Sequence, residues 1–66
     1  MNHALTVEVT SDTLDNAEKE AFNRARTFYG YRNFRLKDGH TRTVRLYASY
    51  DDLIGFETTF YFEEVL

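Results

Sequence analysis

Few side chains in this sequence have the types and spacing that catalysis requires. The histidines are His3 and His40, and there is no cysteine. Two distant histidines with no third ligand at metal-binding spacing do not predict a zinc site. Ser11 and Ser49 have neither a neighbouring histidine nor the glycine elbow that holds a serine nucleophile in reach, and Ser11 reads as a helix cap. Asp51-Asp52 is a carboxylate pair, but adjacent residues in a turn face solvent instead of working as acid and base across a substrate. No phosphate loop or dinucleotide fingerprint occurs. The sequence predicts a non-enzymatic chain with no catalytic residue, no metal, no cofactor and no small-molecule substrate.

Binding chemistry is better represented. The net charge of −3 hides a strong segregation along the chain. Residues 1–23 hold five acids against Lys19, residues 24–45 hold seven bases against Asp38, and residues 46–66 hold five acids and no base. A basic middle that also carries tyrosines has the ingredients of a single-stranded nucleic-acid platform, where bases stack on aromatic rings and cations track the phosphates. The overall acidity points the other way, because nucleic-acid-binding domains are usually basic. Segregated charge also steers a small protein to a charged protein partner or to a second copy of itself. Tyr29, Tyr31, Tyr47, Tyr50 and Tyr61 add large contact areas with polar tips, a composition enriched at interfaces. Tyr29 and Tyr50, at element ends, read as edging the core with hydroxyls in water.

The elements that must position these groups are legible as periodicities. Leu5, Val7 and Val9 alternate with Thr6, Glu8 and Thr10, which predicts a strand with one buried face. Ser11, Asp12 and Thr13 are N-capping types. Leu14, Ala17, Ala21, Ala25, Phe28 and Tyr29 then recur at helical spacing, giving a narrow stripe whose alanines permit close approach to a sheet. Asp15–Lys19 and Glu20–Arg24 are four apart, and Gly30 is a natural C-terminal stop. Residues 31–36 and 40–50 read as strands joined in a hairpin at Lys37-Asp38-Gly39, since Asp-Gly favours tight hairpin turns. A three-residue loop aligns Phe34, Leu36, Val44, Leu46 and Ala48 on the core face. Residues 51–53 turn the chain, and Ile54, Phe56, Phe60 and Phe62 mark a last strand. That parity places Tyr31, Arg35, Lys37, Arg45, Tyr47 and Tyr61 on the opposite, open face, together with Glu8, Glu57 and Glu63, so that cross-strand Arg–Glu pairs form.

The expected architecture is a single α+β domain over residues 1–66. Its order is β-α-β-β-β, with one helix packed on one face of a four-stranded, mainly antiparallel sheet. A chain of 66 residues with no cross-link has a small core and is a candidate for stabilisation by self-association. No apolar run reaches the length of a membrane span, and the start has neither the basic nor the apolar region of a signal peptide. The sequence reads as a complete, short cytoplasmic protein.

The run Val7-Glu8-Val9-Thr10-Ser11-Asp12-Thr13-Leu14-Asp15-Asn16-Ala17-Glu18, a strand entering a capped helix, resembles small phage-encoded inhibitors of host enzymes and defence systems. That resemblance implies a stoichiometric inhibitor or adaptor that binds a host protein, and it transfers no functional residue. The sequence reading is therefore a protein-binding module, with nucleic-acid binding through residues 31–47 or a structural homodimer as alternatives. Its candidate contact residues are Tyr31, Arg35, Arg45, Tyr47 and Tyr61 on the open sheet face. A second candidate is an acidic edge of Asp12, Asp15, Asp51 and Asp52, whose carboxylates imitate a phosphate array as in DNA-mimic inhibitors.

Overall fold

The alternating segment forms β1 (Ala4–Ser11) in the computed structural model, which describes residues 3–66. Its Val7 and Val9 are buried, while Thr6, Glu8 and Thr10 face outward. Of the three expected capping residues Thr13 alone caps the helix that follows, and Ser11 and Asp12 bond elsewhere in the corner. Thr13 is the N-cap of α1 (Leu14–Tyr29), its Oγ1 accepting from the Asn16 N–H at 3.1 Å. The Asp12 carboxylate accepts from the Asn16 side chain at 3.0 Å, and the Ser11 hydroxyl donates to the Thr13 carbonyl. At the other end Gly30 takes a φ of 65° and donates its N–H to the Arg26 carbonyl at 2.8 Å, the stop that a residue without Cβ provides. Ala17, Ala21, Ala25 and Tyr29 form the buried stripe; Leu14 and Phe28 stay about half exposed, and Phe22 packs against the core instead.

The remaining strands are β2 (Phe34–Leu36), β3 (Arg42–Ser49) and β4 (Asp52–Glu64). The expected α+β architecture, one helix on a four-stranded antiparallel sheet, is the one observed. Its strand order is set by β4, which runs through the middle. β1 pairs antiparallel along one side of β4, from Ala4 opposite Glu63 to Ser11 opposite Phe56. β2 and β3 both pair antiparallel along the other side, β2 against residues 62–64 and β3 against residues 52–59. The helix therefore carries the chain from β1 to β2 across β4.

The hairpin expected at Lys37-Asp38-Gly39 is not formed. β2 and β3 run in the same direction along one edge of β4, and the Asp38-Gly39 turn is an outward excursion between them. Leu36 sits opposite Phe62 and Arg42 opposite Thr59, so residues 37–41 span a gap that Phe60 and Tyr61 alone fill on β4. The three-residue surplus is odd, and an odd insertion exchanges the faces of every residue after it. Before the excursion Phe34 and Leu36 face the helix. After it Val44 and Leu46 lie opposite Glu57 and Gly55, on the open face, and Arg45 lies opposite Phe56 on the helix side. The hairpin of the molecule joins β3 to β4 instead, through Tyr50 and Asp51 between the paired residues Ser49 and Asp52.

The core sits at one end of the sheet. Val7, Val9, Phe60 and Phe62 meet the alanine stripe, with Leu5, Phe22, Phe34 and Leu36 packed around them. Phe22 and Phe62 meet edge to face at 5.2 Å between centroids, and Tyr29 and Phe34 stack at 5.1 Å, separations at which aromatic pairs attract beyond the area they bury. Tyr29 is 2% exposed, and its hydroxyl donates to the His3 carbonyl at 2.9 Å. It is a core residue with an internal hydrogen bond, not the water-facing edge residue expected. Buried Thr58 shares a hydroxyl contact of 3.4 Å with Thr43.

Candidate interaction surface

The geometry separates a body from an arm. β1 ends at Ser11, opposite Phe56, whereas β4 begins four residues earlier at Asp52. At about 3.3 Å per residue, the β3–β4 hairpin extends about 13 Å past β1. The molecule is accordingly 45 Å long and only 20 by 13 Å across. Gly55 marks the exit point: a Cβ there would stand 2.7 Å from the Ser11 carbonyl oxygen. Only a glycine lets the end of β1 close against β4 at that position.

The apolar side chains of the arm are left uncovered. Val44 is 57% exposed, Ile54 58% and Tyr47 53%, with Leu53 also exposed and Leu46 half-buried. Two register shifts, between Leu46 and Tyr47 and between Tyr47 and Ser49, disturb the ladder near the tip, and such bulges increase local twist. Sequence reasoning assigned Val44, Leu46 and Ala48 to the core, and so missed this surface. A signal for the uncovered tip, though not for the face of Val44 and Leu46, was present: a narrow alanine stripe on a 16-residue helix cannot cover both a full-length sheet face and its extension.

Much of the basic block serves the body. Arg24 pairs with Glu20 at 3.4 Å and also donates to the Glu8 carbonyl at 3.0 Å. Arg32 donates to the Tyr29 carbonyl at 3.2 Å, approaches Glu64 at 3.4 Å, and lies 5.8 Å from the Tyr29 ring centre. This clasp at the helix C-terminus suits the negative end of the dipole. Arg35 pairs with Glu63 at 3.1 Å, a cross-strand contact of the expected kind. Among the described residues, Lys37, Arg42 and Arg45 make no ion pair. Asp15 and Lys19 do not pair either.

The candidate residues do not form one platform. Tyr31 is 99% exposed in the connection before β2, outside the sheet. Arg35 and Tyr61 are on the open face, where Tyr61 lies opposite Thr6 and 6.1 Å from the His40 ring. Arg45, expected beside Arg35, is on the helix side because of the odd insertion. Tyr47 lies opposite Leu53 at the bulge. Of the acidic residues, Asp12 and Asp15 flank the helix cap, while Asp51 and Asp52 occupy the arm's tip. All four lie toward the same end of the molecule, and the length of the arm separates the two pairs.

Other places hold less chemistry. A groove of about 650 Å³ follows one flank of α1, lined by Asp15, Glu18, Lys19, Phe22, Asn23 and Arg26; its walls carry mixed charge and a single aromatic ring. Burial raises the Tyr29 phenol above its ordinary pKa of 10.0, with Glu64 and Glu63 adding to the rise and Arg32 opposing it. Among the described residues no three His, Asp or Glu side chains gather as a metal site. Among the same residues no helix is long and apolar enough to cross a membrane. No protein-family model matches the chain, and neither a curated protein nor a solved structure matches it.

Proposed function

We propose that the chain is a small non-catalytic protein-binding module that meets its partner with the β3–β4 arm. The observation that carries this reading is the exposure of apolar side chains along the β3–β4 arm, with Val44 on the open face at its base and Tyr47, Leu53 and Ile54 around the bulge near its tip. Exposed apolar side chains clustered on a projecting hairpin of a small domain mark a contact surface, and a partner that gripped the arm would supply the layers it lacks. Arg42 and Glu57 flank Val44 on the open face and Arg45 stands on the helix side, where they would give polar, orienting contacts. A stoichiometric inhibitor or adaptor acting in the cytoplasm fits this size and cysteine-free composition.

Nucleic-acid binding is the second reading, favoured by the unpaired Lys37, Arg42 and Arg45. Against it stand the Arg35–Glu63 pair and the location of Arg45 on the other face from Arg35. The two readings separate in one experiment. Affinity capture with the wild-type chain, with Val44→Ser/Tyr47→Ser/Ile54→Ser, and with Arg42→Glu/Arg45→Glu as baits should retain a protein partner that the apolar triple variant loses. Oligonucleotide binding at low salt, lost in the arginine double variant, would replace the protein-binding reading with the nucleic-acid one.

A further inference from the structure

The two edges of the sheet are not equivalent. On β1, the helix residue Arg24 reaches over and donates to the Glu8 carbonyl at 3.0 Å, a charged side chain guarding that edge. On β3, among the described residues, no hydrogen bond reaches the main chain apart from its ladder to β4. β3 is eight residues long, and seven of them are exposed. Thr, Val, Leu and Tyr dominate its middle, a composition that favours strand pairing. An open strand of this kind is a template for another strand.

We propose that β3 pairs antiparallel with β3 of a second copy of this chain, about a two-fold axis perpendicular to the sheet. This inference rests on the arm being a contact surface and names the occupant of its edge. Charge complementarity selects the second copy and the direction. β3 begins at Arg42, just after Lys37, and ends at Ser49, just before Asp51 and Asp52. Neither Arg42 nor the aspartates form an ion pair within the chain, among the described residues, and they lie at opposite ends of the strand. Antiparallel pairing brings the basic end of each copy against the acidic tip of the other, twice. Parallel pairing would put like charges together.

The register follows from the same considerations. Residues directly opposite in an antiparallel pair share a face, so the axis passes through one residue and its own copy. Arg45 on the axis would oppose two like charges, which is destabilising. With Leu46 on the axis, Leu46 meets Leu46 of the second copy, Arg45 lies beside Tyr47 of the second copy, and Arg42 lies beside the Tyr50-Asp51 turn. The two sheets become one continuous sheet. Val44 and Leu46 of both copies then form a single apolar patch on its open face, while each helix stays over its own body.

Because the chain has no cysteine, Leu46→Cys introduces a single thiol. On the axis its Cα lies within disulfide reach of its own copy, so mild oxidation should give a covalent dimer, whereas Thr6→Cys on β1 should not cross-link. Sedimentation of the purified wild-type chain should show mass rising with concentration toward twice 7.8 kDa. Arg42→Glu and Asp51→Arg/Asp52→Arg should each weaken self-association about tenfold or more, and combining them should restore it, since the reversed charges meet only between copies. Unchanged circular dichroism would show that each variant remains folded. A chain that stays monomeric to millimolar concentration, cross-linking through Thr6 instead of Leu46, or no recovery in the combined variant would each overturn the pairing. A monomer that still captures a protein through the arm would refute the pairing alone and leave the binding module standing. A Leu46-linked dimer that captures nothing would do the reverse.

Discussion

The two ends of β4 have the same secondary structure and opposite environments. From Thr58 to Phe62 the strand lies under the helix between two neighbours, and its inward side chains are buried among aromatic rings. From Asp52 to Gly55 it has β3 on one side, no strand on the other and no helix above it. Both stretches carry apolar residues, Leu53, Ile54 and Phe56 in one and Phe60 and Phe62 in the other, so composition does not tell them apart. What differs is the layer above. An apolar residue stabilises the fold only where a second layer removes it from water, so the body holds the stability and the arm holds surface for contact.

The largest expected effect tests the body. Phe62 is 1% exposed and touches Phe22, Phe34 and Phe60; Phe62→Ala should cost about 3–5 kcal/mol, enough to unfold a chain of this size, read by thermal or urea denaturation. Next is the junction. Gly55→Ala places a methyl group against the Ser11 carbonyl at 2.7 Å and should cost about 1–3 kcal/mol, with the loss of amide-exchange protection concentrated where β1 meets β4. Equal stability of this variant and the wild type would remove the idea of a fixed exit point.

Tyr29→Phe removes the 2.9 Å hydrogen bond to the His3 carbonyl and should cost about 1 kcal/mol at neutral pH. Its pH dependence is more specific. Burial raises the folded phenol above 10.0, so the unfolded chain loses this proton first. Above about pH 10 the unfolded state binds fewer protons than the folded one, and stability falls as pH rises toward the folded value. The contribution is complete below pH 10 and is lost above it. Denaturation midpoints across the alkaline range should fall less steeply for Tyr29→Phe than for the wild type.

Arg35→Ala breaks a pair whose arginine is 66% exposed, and its cost should be about 0.2–1 kcal/mol, reduced further by salt. The smallest stability change belongs to the arm: Val44→Ser and Ile54→Ser should each shift stability by about 0.5 kcal/mol or less. A cost as large as that of Phe62→Ala would show that the arm is packed in solution and would erase the contrast between the two ends.

Much of the body was legible because its signals are local. A cap within Ser11 to Thr13, the alanine stripe and the Gly30 stop are readable from spacing, since each depends on residues within one helical turn. The Arg35–Glu63 pair was readable from strand parity. The arm was not. Val44 and Leu46 alternate as a core strand would, and the Asp38-Gly39 signal is real, because Gly39 does take a φ of 75°. A turn signal shows where the chain bends and not which strands it joins. Counting parity across an assumed hairpin carried one error onto Arg45, Val44 and Leu46 together. The Arg32 clasp was equally invisible, as it needs the helix end and the end of β4 to meet.

The sequence by itself determined the element types, the helix boundaries, the antiparallel α+β class and the scarcity of catalytic groupings, because these depend on periodicity, capping and composition. Only the tertiary structure decided that β4 is the central strand, that β2 and β3 share one side of it, and that an odd insertion sends Arg45 and Val44 to unexpected faces. Strand order and register depend on pairings between residues far apart in the chain, and one alternation of side chains is compatible with several such pairings. The exposed arm is the product of that choice, since the helix is long enough to cover only one end of the strand at the centre.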